Sequence, residues 1–126
     1  MESLSLLAVG TGAALGAWCR WWLGLLLNPV FPTVPLGTLA ANLLGGYLVG
    51  VGVAFFAQSS GWPPELRLFA ITGFMGGLTT FSTFSAEVMS LFMQQQYLWG
   101  VTAAACHLLG SLAMTALGIL TMRAWS

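Results

Sequence analysis

The chain has 126 residues, of which 58% are hydrophobic and only 5% charged, with a formal net charge of zero at pH 7. A soluble domain carries roughly 25% charged residues, so this composition excludes a solvated globular fold and predicts an integral membrane protein. The absence of lysine and of any basic cluster excludes a nucleic-acid binder as well.

A helix needs ~20 apolar residues to cross a hydrocarbon core of about 30 Å. Segments 4–27, 36–57, 66–93 and 98–122 meet that length. The chain is therefore expected to be one all-α membrane domain over 1–126, with four transmembrane helices and both ends on the same side. The first apolar run lacks a basic start and outlasts a cleaved leader, so it is read as a span rather than a signal peptide.

Span one carries Gly12 and Gly16, a spacing that lets another helix approach closely. Its end, Trp18-Cys-Arg-Trp-Trp22, has two readings. Arg20 either anchors an interfacial aromatic belt or faces a water-filled vestibule, where it would raise the local anion concentration. Asn28-Pro-Val-Phe-Pro-Thr-Val-Pro35 holds three prolines and cannot be helical throughout. Cys19 and Cys106 lie within spans and read as small apolar fillers, not a disulfide pair.

Span two places Gly37, Ala41 and Gly45 at i, i+4 and i+8, with Gly46 and Gly50 beside them, which makes a packing face. Asn42 is the only amide deep in any span. By itself it reads as interhelical glue, although its two N–H groups are also what an anion needs.

Span three follows Ser59-Ser-Gly-Trp-Pro-Pro64, a connection whose prolines suit a helix start. Its middle reads Gly73-Phe-Met-Gly-Gly-Leu-Thr-Thr-Phe-Ser-Thr-Phe-Ser85. Gly73, Gly76 and Gly77 are expected to break the helix and free backbone groups. Thr79, Thr80, Ser82, Thr83 and Ser85 supply hydroxyls, and Phe81 and Phe84 share a face at i, i+3. One or two such residues would mean close packing and hydroxyls bonded to their own helix. At this density the segment reads as a site, because irregular backbone at membrane depth survives only when buried in protein or lining a wet cavity. Glu87, one turn beyond Phe84, must be paired, protonated or hydrated.

Span four aligns His107, Ser111 and Thr115 at i, i+4 and i+8 as a polar stripe. No nucleophile, base and orienting group can be assembled from these residues, so an enzyme is not expected. The inventory is one of neutral donors and aromatic ring edges, which suit a small anion passing through without being trapped. Four short spans cannot both surround a pore and shield it, so oligomerisation is expected. Arg67 and Arg123 flank one side and Arg20 the other, a bias of one positive side chain. Such a balance permits insertion both ways and hence an antiparallel dimer.

Gly76-Gly-Leu-Thr-Thr-Phe-Ser-Thr-Phe-Ser85, the mid-span Asn42 and Gly12-Ala-Ala-Leu-Gly-Ala-Trp-Cys-Arg20 together resemble the Fluc/CrcB small fluoride channels, over the whole chain. The resemblance implies an antiparallel, dual-topology homodimer in the lipid of the bacterial inner membrane. Two pores per dimer would export fluoride passively. It implies pore roles for Phe81 and Phe84 through their ring edges and for Asn42 as a donor. Ser82 and Thr83 would lie beside the pore, and His107, Ser111 and Thr115 would form a polar track, with Glu87 also counted among the pore residues. Arg20 would sit at a vestibule. A structural sodium ion on the dimer axis would take the Gly76 and Thr79 carbonyls. The competing class is a small multidrug-resistance-type exporter, which depends on a glutamate in span one, where this chain has only Glu2 at its start. A pore-less assembly factor, with every polar residue acting as glue, is the third.

Overall fold

The computed structural model describes residues 2–125, and their regular structure is all helical. The order is α1 (Glu2–Leu27), a 3-10 turn (Asn28–Val30), α2 (Leu36–Gln58), α3 (Pro64–Arg67), a π-helix (Leu68–Met75), α4 (Gly76–Leu78), α5 (Ser82–Met93) and α6 (Tyr97–Ala124). Residues 64–93 thus form one interrupted rod beside three continuous ones. The helices run one or two residues beyond the expected spans at several ends.

Among the described residues, only α2 and α6 are long and apolar enough to cross a bilayer as single helices. At 26 residues α1 has the length, ~39 Å. Its glycines, tryptophans and Arg20 dilute the hydropathy. The third rod reaches spanning length only as a composite.

Two pairings build the fold: α2 lies along α6, and α1 lies along the π-helix and α4. Missing side chains make both possible. A methyl on Gly50 would run into the Thr115 carbonyl and come within 3.0 Å of the Ile119 nitrogen, and one on Gly118 would come within 2.8 Å of the Val51 nitrogen. On the other side, a methyl on Gly12 would come within 2.8 Å of the Phe74 nitrogen, and one on Gly16 within 2.7 Å of the Leu78 nitrogen. With no hydrophobic drive between helices in lipid, this backbone proximity supplies the dispersion that holds them.

The break in the third rod is not at the glycines. No glycine among the described residues has positive φ, and Gly73, Gly76 and Gly77 are all helical. They serve approach: methyls on Gly73 and Gly77 would meet the Val9 and Ala13 carbonyls of α1. Regular winding instead stops one turn later, at Thr79, with φ −87° and ψ 157°. There the chain leaves α1 and continues as α5 against α6. A small apolar cluster of Val34, Val88, Leu91 and Ala103 ties α5 to α6 and to the proline-rich connection.

Asn28 closes the other end of that connection. Pro35, at the N-cap of α2, offers no side-chain acceptor. The Asn28 Oδ1 takes the N–H of Gly37 at 2.7 Å and of Thr38 at 3.3 Å, satisfying the first turn from outside the helix. Cys19 and Cys106 are both free.

Candidate functional site

The break exposes backbone groups that a continuous helix would pair internally, and the side chains of Arg20, Asn42 and Thr80 take up some of them. Thr79 turns both its N–H (3.0 Å) and its hydroxyl (2.9 Å) to the Met75 carbonyl. The Thr80 N–H donates to Asn42 Oδ1 at 2.7 Å, and the Thr80 carbonyl accepts from Asn42 Nδ2 at 3.0 Å. Asn42 therefore pairs with Thr80 as one peptide group pairs with another in a sheet. The Thr80 hydroxyl accepts the Thr83 N–H at 3.1 Å and so caps α5. The amides of Phe81 and Ser82 meet no acceptor among the described residues, which leaves two donors at the N-terminus of α5.

Asn42 reaches α6 as well. Its Nδ2 lies 2.9 Å from His107 Nδ1. Since the Thr80 N–H fixes the amide's oxygen, this nitrogen can only donate, and Nδ1 must accept. The imidazole proton then resides on Nε2, which is buried with no protein partner among the described residues. Phe84 lies over the His107 ring with centroids 4.5 Å apart, and Phe81 meets Phe84 edge-on at 5.4 Å. Phe84 is half-buried and Phe81 is 77% exposed.

These groups line a cleft of about 300 Å³ between α2, the break and α6. It gathers Asn42, Thr79, Phe81, Phe84, His107, Ser111 and Thr115 from the sequence-predicted residues, along with Thr80, Leu108 and Leu112. The Thr115 hydroxyl donates to the Gly46 carbonyl at 3.0 Å, so its proton serves the α2–α6 contact and its oxygen faces the cleft as an acceptor. Ser111 has no side-chain partner among the described residues.

The remaining predicted residues stand elsewhere. Ser82 and Thr83 are exposed. Glu87 accepts a 2.6 Å hydrogen bond from the Thr38 hydroxyl and borders a separate recess with Ser90, Gln94 and Gln96. Arg20 donates from Nε to the Gly77 carbonyl at 3.1 Å, so its side chain turns inward rather than only along an interfacial belt. It borders a recess of about 270 Å³ together with Thr38 and Thr83. The carbonyls of Gly76 and Thr79 receive no hydrogen bond among the described residues, so both are unpaired oxygens of the kind a hard cation takes.

Sequence reasoning missed two residues. Thr38, one turn before Asn42 on the same helix face, carries the missing partner of Glu87, and i, i+4 spacing could have found it. Asn28 looked like part of a loop, and nothing local signals that its side chain returns to α2.

Residues 7–119 match the family described as CrcB-like protein, Camphor Resistance (CrcB). The chain is 62% identical over 123 residues to the fluoride-specific ion channel FluC of Nitrosospira multiformis, covering 98% of this chain and 96% of that one. It is 59% identical over 121 residues to the FluC of Burkholderia cenocepacia and 57% identical to that of Burkholderia pseudomallei, each covering 96% of this chain and 94% of the relative.

Proposed function

The chain belongs to the CrcB-like family of fluoride-specific ion channels, and from that premise we propose how its cleft serves the ion. The protein is a membrane channel and not an enzyme. The observation that carries the reading is the cleft itself, polar at its floor and open along the side where Phe81 is 77% exposed. A single chain offers half a conduit. The exposed leucines of α6 beside it, Leu108, Leu109 and Leu112, make an apolar face suited to a second copy.

In this proposal the second copy is antiparallel, the dimer is multi-pass in the inner membrane, and each of its two pores exports fluoride passively. Fluoride sheds water in stages, and each lost contact must be replaced. The ring edges of Phe81 and Phe84 supply electropositive hydrogens. The Nε2–H of His107 is a donor whose burial costs about 1–3 kcal/mol until something accepts from it. Ser111 adds a hydroxyl, Thr115 an oxygen that orders water, and the free amides of Phe81 and Ser82 add the partial positive charge of a helix start. Asn42 has both N–H groups engaged, so it donates to the ion only by sharing one of them. Ser82, Thr83 and Glu87 continue the path beyond the phenylalanines, with Arg20 at a vestibule.

The unpaired carbonyls of Gly76 and Thr79 fit a sodium ion. One chain supplies two oxygens and a two-fold partner two more, so the ion would link the subunits. When bound, sodium neutralises the negative end of the interrupted helix. The test is ion efflux from liposomes loaded with fluoride or chloride. Rapid fluoride release with retained chloride is the expected result, and equal release of both would overturn the selectivity argument.

A further inference from the structure

The rod over 64–78 ends with carbonyls that have no helical partners. Their distribution is uneven. The Met75 carbonyl is doubly occupied by Thr79. The Gly77 carbonyl takes the Nε–H of Arg20 at 3.1 Å, and those of Gly76 and Leu78 take nothing among the described residues. Arg20 reaches Gly77 because Gly16, one turn earlier on α1, brings the two backbones together: a methyl there would come within 2.7 Å of the Leu78 nitrogen. The guanidinium therefore sits at the negative end of an interrupted helix, where a cation is stabilising and a charge-assisted bond is stronger than a neutral one.

We propose that Arg20 is a positioning residue for transport. It caps the first half of the broken rod from α1 and thereby decides which backbone groups the break presents. Gly77 is taken, Gly76 and Thr79 are left to a cation, and Thr80 is held in register for Asn42. The proposal rests on the channel reading above, and it differs from a vestibule role in one sign. A bare positive charge near a cation site weakens cation binding, so removing it should tighten sodium. A cap that shapes the site should do the opposite when removed.

The test uses the full chain in liposomes, with Arg20→Met, which keeps the apolar stem, and Arg20→Lys, which keeps the charge. Amide hydrogen exchange over 76–84 should accelerate about tenfold or more in Arg20→Met and much less in Arg20→Lys, while exchange in α6 stays unchanged. Wild-type exchange over 76–84 in Arg20→Met would overturn the cap. If Arg20→Met does not fold, Arg20→Leu, another apolar side chain without charge or donor, decides the matter: acceleration confined to 76–84 supports the cap, and none refutes it. Fluoride efflux against sodium concentration should require several-fold more sodium in Arg20→Met, and a requirement for less would assign Arg20 to charge alone. A wild-type channel indifferent to sodium would defeat the sodium reading while leaving the exchange result to judge the cap. An open break with unchanged fluoride efflux at every sodium concentration would refute the link to transport.

Discussion

Asn42 and Thr80 are joined by two hydrogen bonds, 2.7 Å from the Thr80 N–H to Oδ1 and 3.0 Å from Nδ2 to the Thr80 carbonyl. An amide side chain has taken the place of the helical neighbours the break removed. The same Nδ2 then holds the His107 ring, so one residue on α2 sets both the backbone of the break and the tautomer on α6.

Asn42→Asp tests that arrangement. The carboxylate keeps the acceptor for Thr80 N–H but loses both donors and faces the Thr80 carbonyl with negative charge. Stranding a buried group costs about 1–3 kcal/mol. The variant should lose at least about tenfold in fluoride efflux and also unfold at lower temperature in detergent. Wild-type efflux from this variant would show that neither the strut nor a donor to the ion is needed.

Phe81→Ile and Phe84→Ile should separate. Phe81 is 77% exposed, so its replacement should leave assembly intact and stability within about 1 kcal/mol of wild type. Phe84 rests on His107, and its replacement should cost about 1–3 kcal/mol as well as flux. Both should lose most fluoride efflux, because isoleucine has no polarised edge. Initial efflux rate per dimer, with size exclusion as the control, decides whether these rings are conductors or packing.

Terminal tags should be accessible from both sides of the membrane. Three arginines and no lysine leave the insertion machinery almost nothing to read. Labelling intact cells and then opened cells should give two populations of comparable size. A single population would refute antiparallel assembly.

Sodium should hold the dimer together if it bridges unpaired carbonyls from both subunits. A ligand bound only by the assembled state stabilises it by mass action. Transfer to sodium-free potassium buffer should raise the monomer fraction or stop efflux, as read by size exclusion and liposome flux. An unchanged dimer with unchanged flux would remove the ion from the scheme.

Gly50→Ala and Gly10→Ala should differ in sign. A methyl at Gly50 meets the Thr115 carbonyl, and overpacking of this kind costs about 1–3 kcal/mol. A methyl at Gly10 meets nothing within 4 Å, so the better helix propensity of alanine should leave stability equal or up to about 1 kcal/mol higher. Thermal unfolding in one detergent compares the two.

What the residues announced, and what they hid, follows from range. Apolar length marks α1, α2 and α6 to within a few residues because it is local. The i, i+4, i+8 row of His107, Ser111 and Thr115 is local too, and all three reach the cleft as free or half-free polar groups. Winding does not stop at the glycines, for a physical reason. Glycine lowers helix propensity by about 1 kcal/mol in isolation, but Gly73 and Gly77 recover that through contact with α1. Winding ends instead where Asn42, 38 residues away in sequence, offers better hydrogen bonds than the helix does. Arg20 with Gly77 and Thr38 with Glu87 were hidden likewise, since 57 and 49 residues separate the partners.

The π-helix over Leu68–Met75 has a bearing on how this chain tolerates insertions and deletions. A π-turn takes more residues per revolution than an α-turn, so the segment acts as a phase adjuster between the proline start and the break. In an α-helix each residue advances the azimuth by about 100°. Removing one residue from 68–75 while winding tightens to α would leave the rod nearly as long and nearly in phase, because the wide turn already holds about one residue more than an α-turn. Gly73 and Gly77 would stay on the α1 backbone, and Thr80 would stay within reach of Asn42. Single-residue deletions here should therefore be tolerated far better than the same deletions inside α2 or α6, where each lost residue turns the rest of the helix by about 100°.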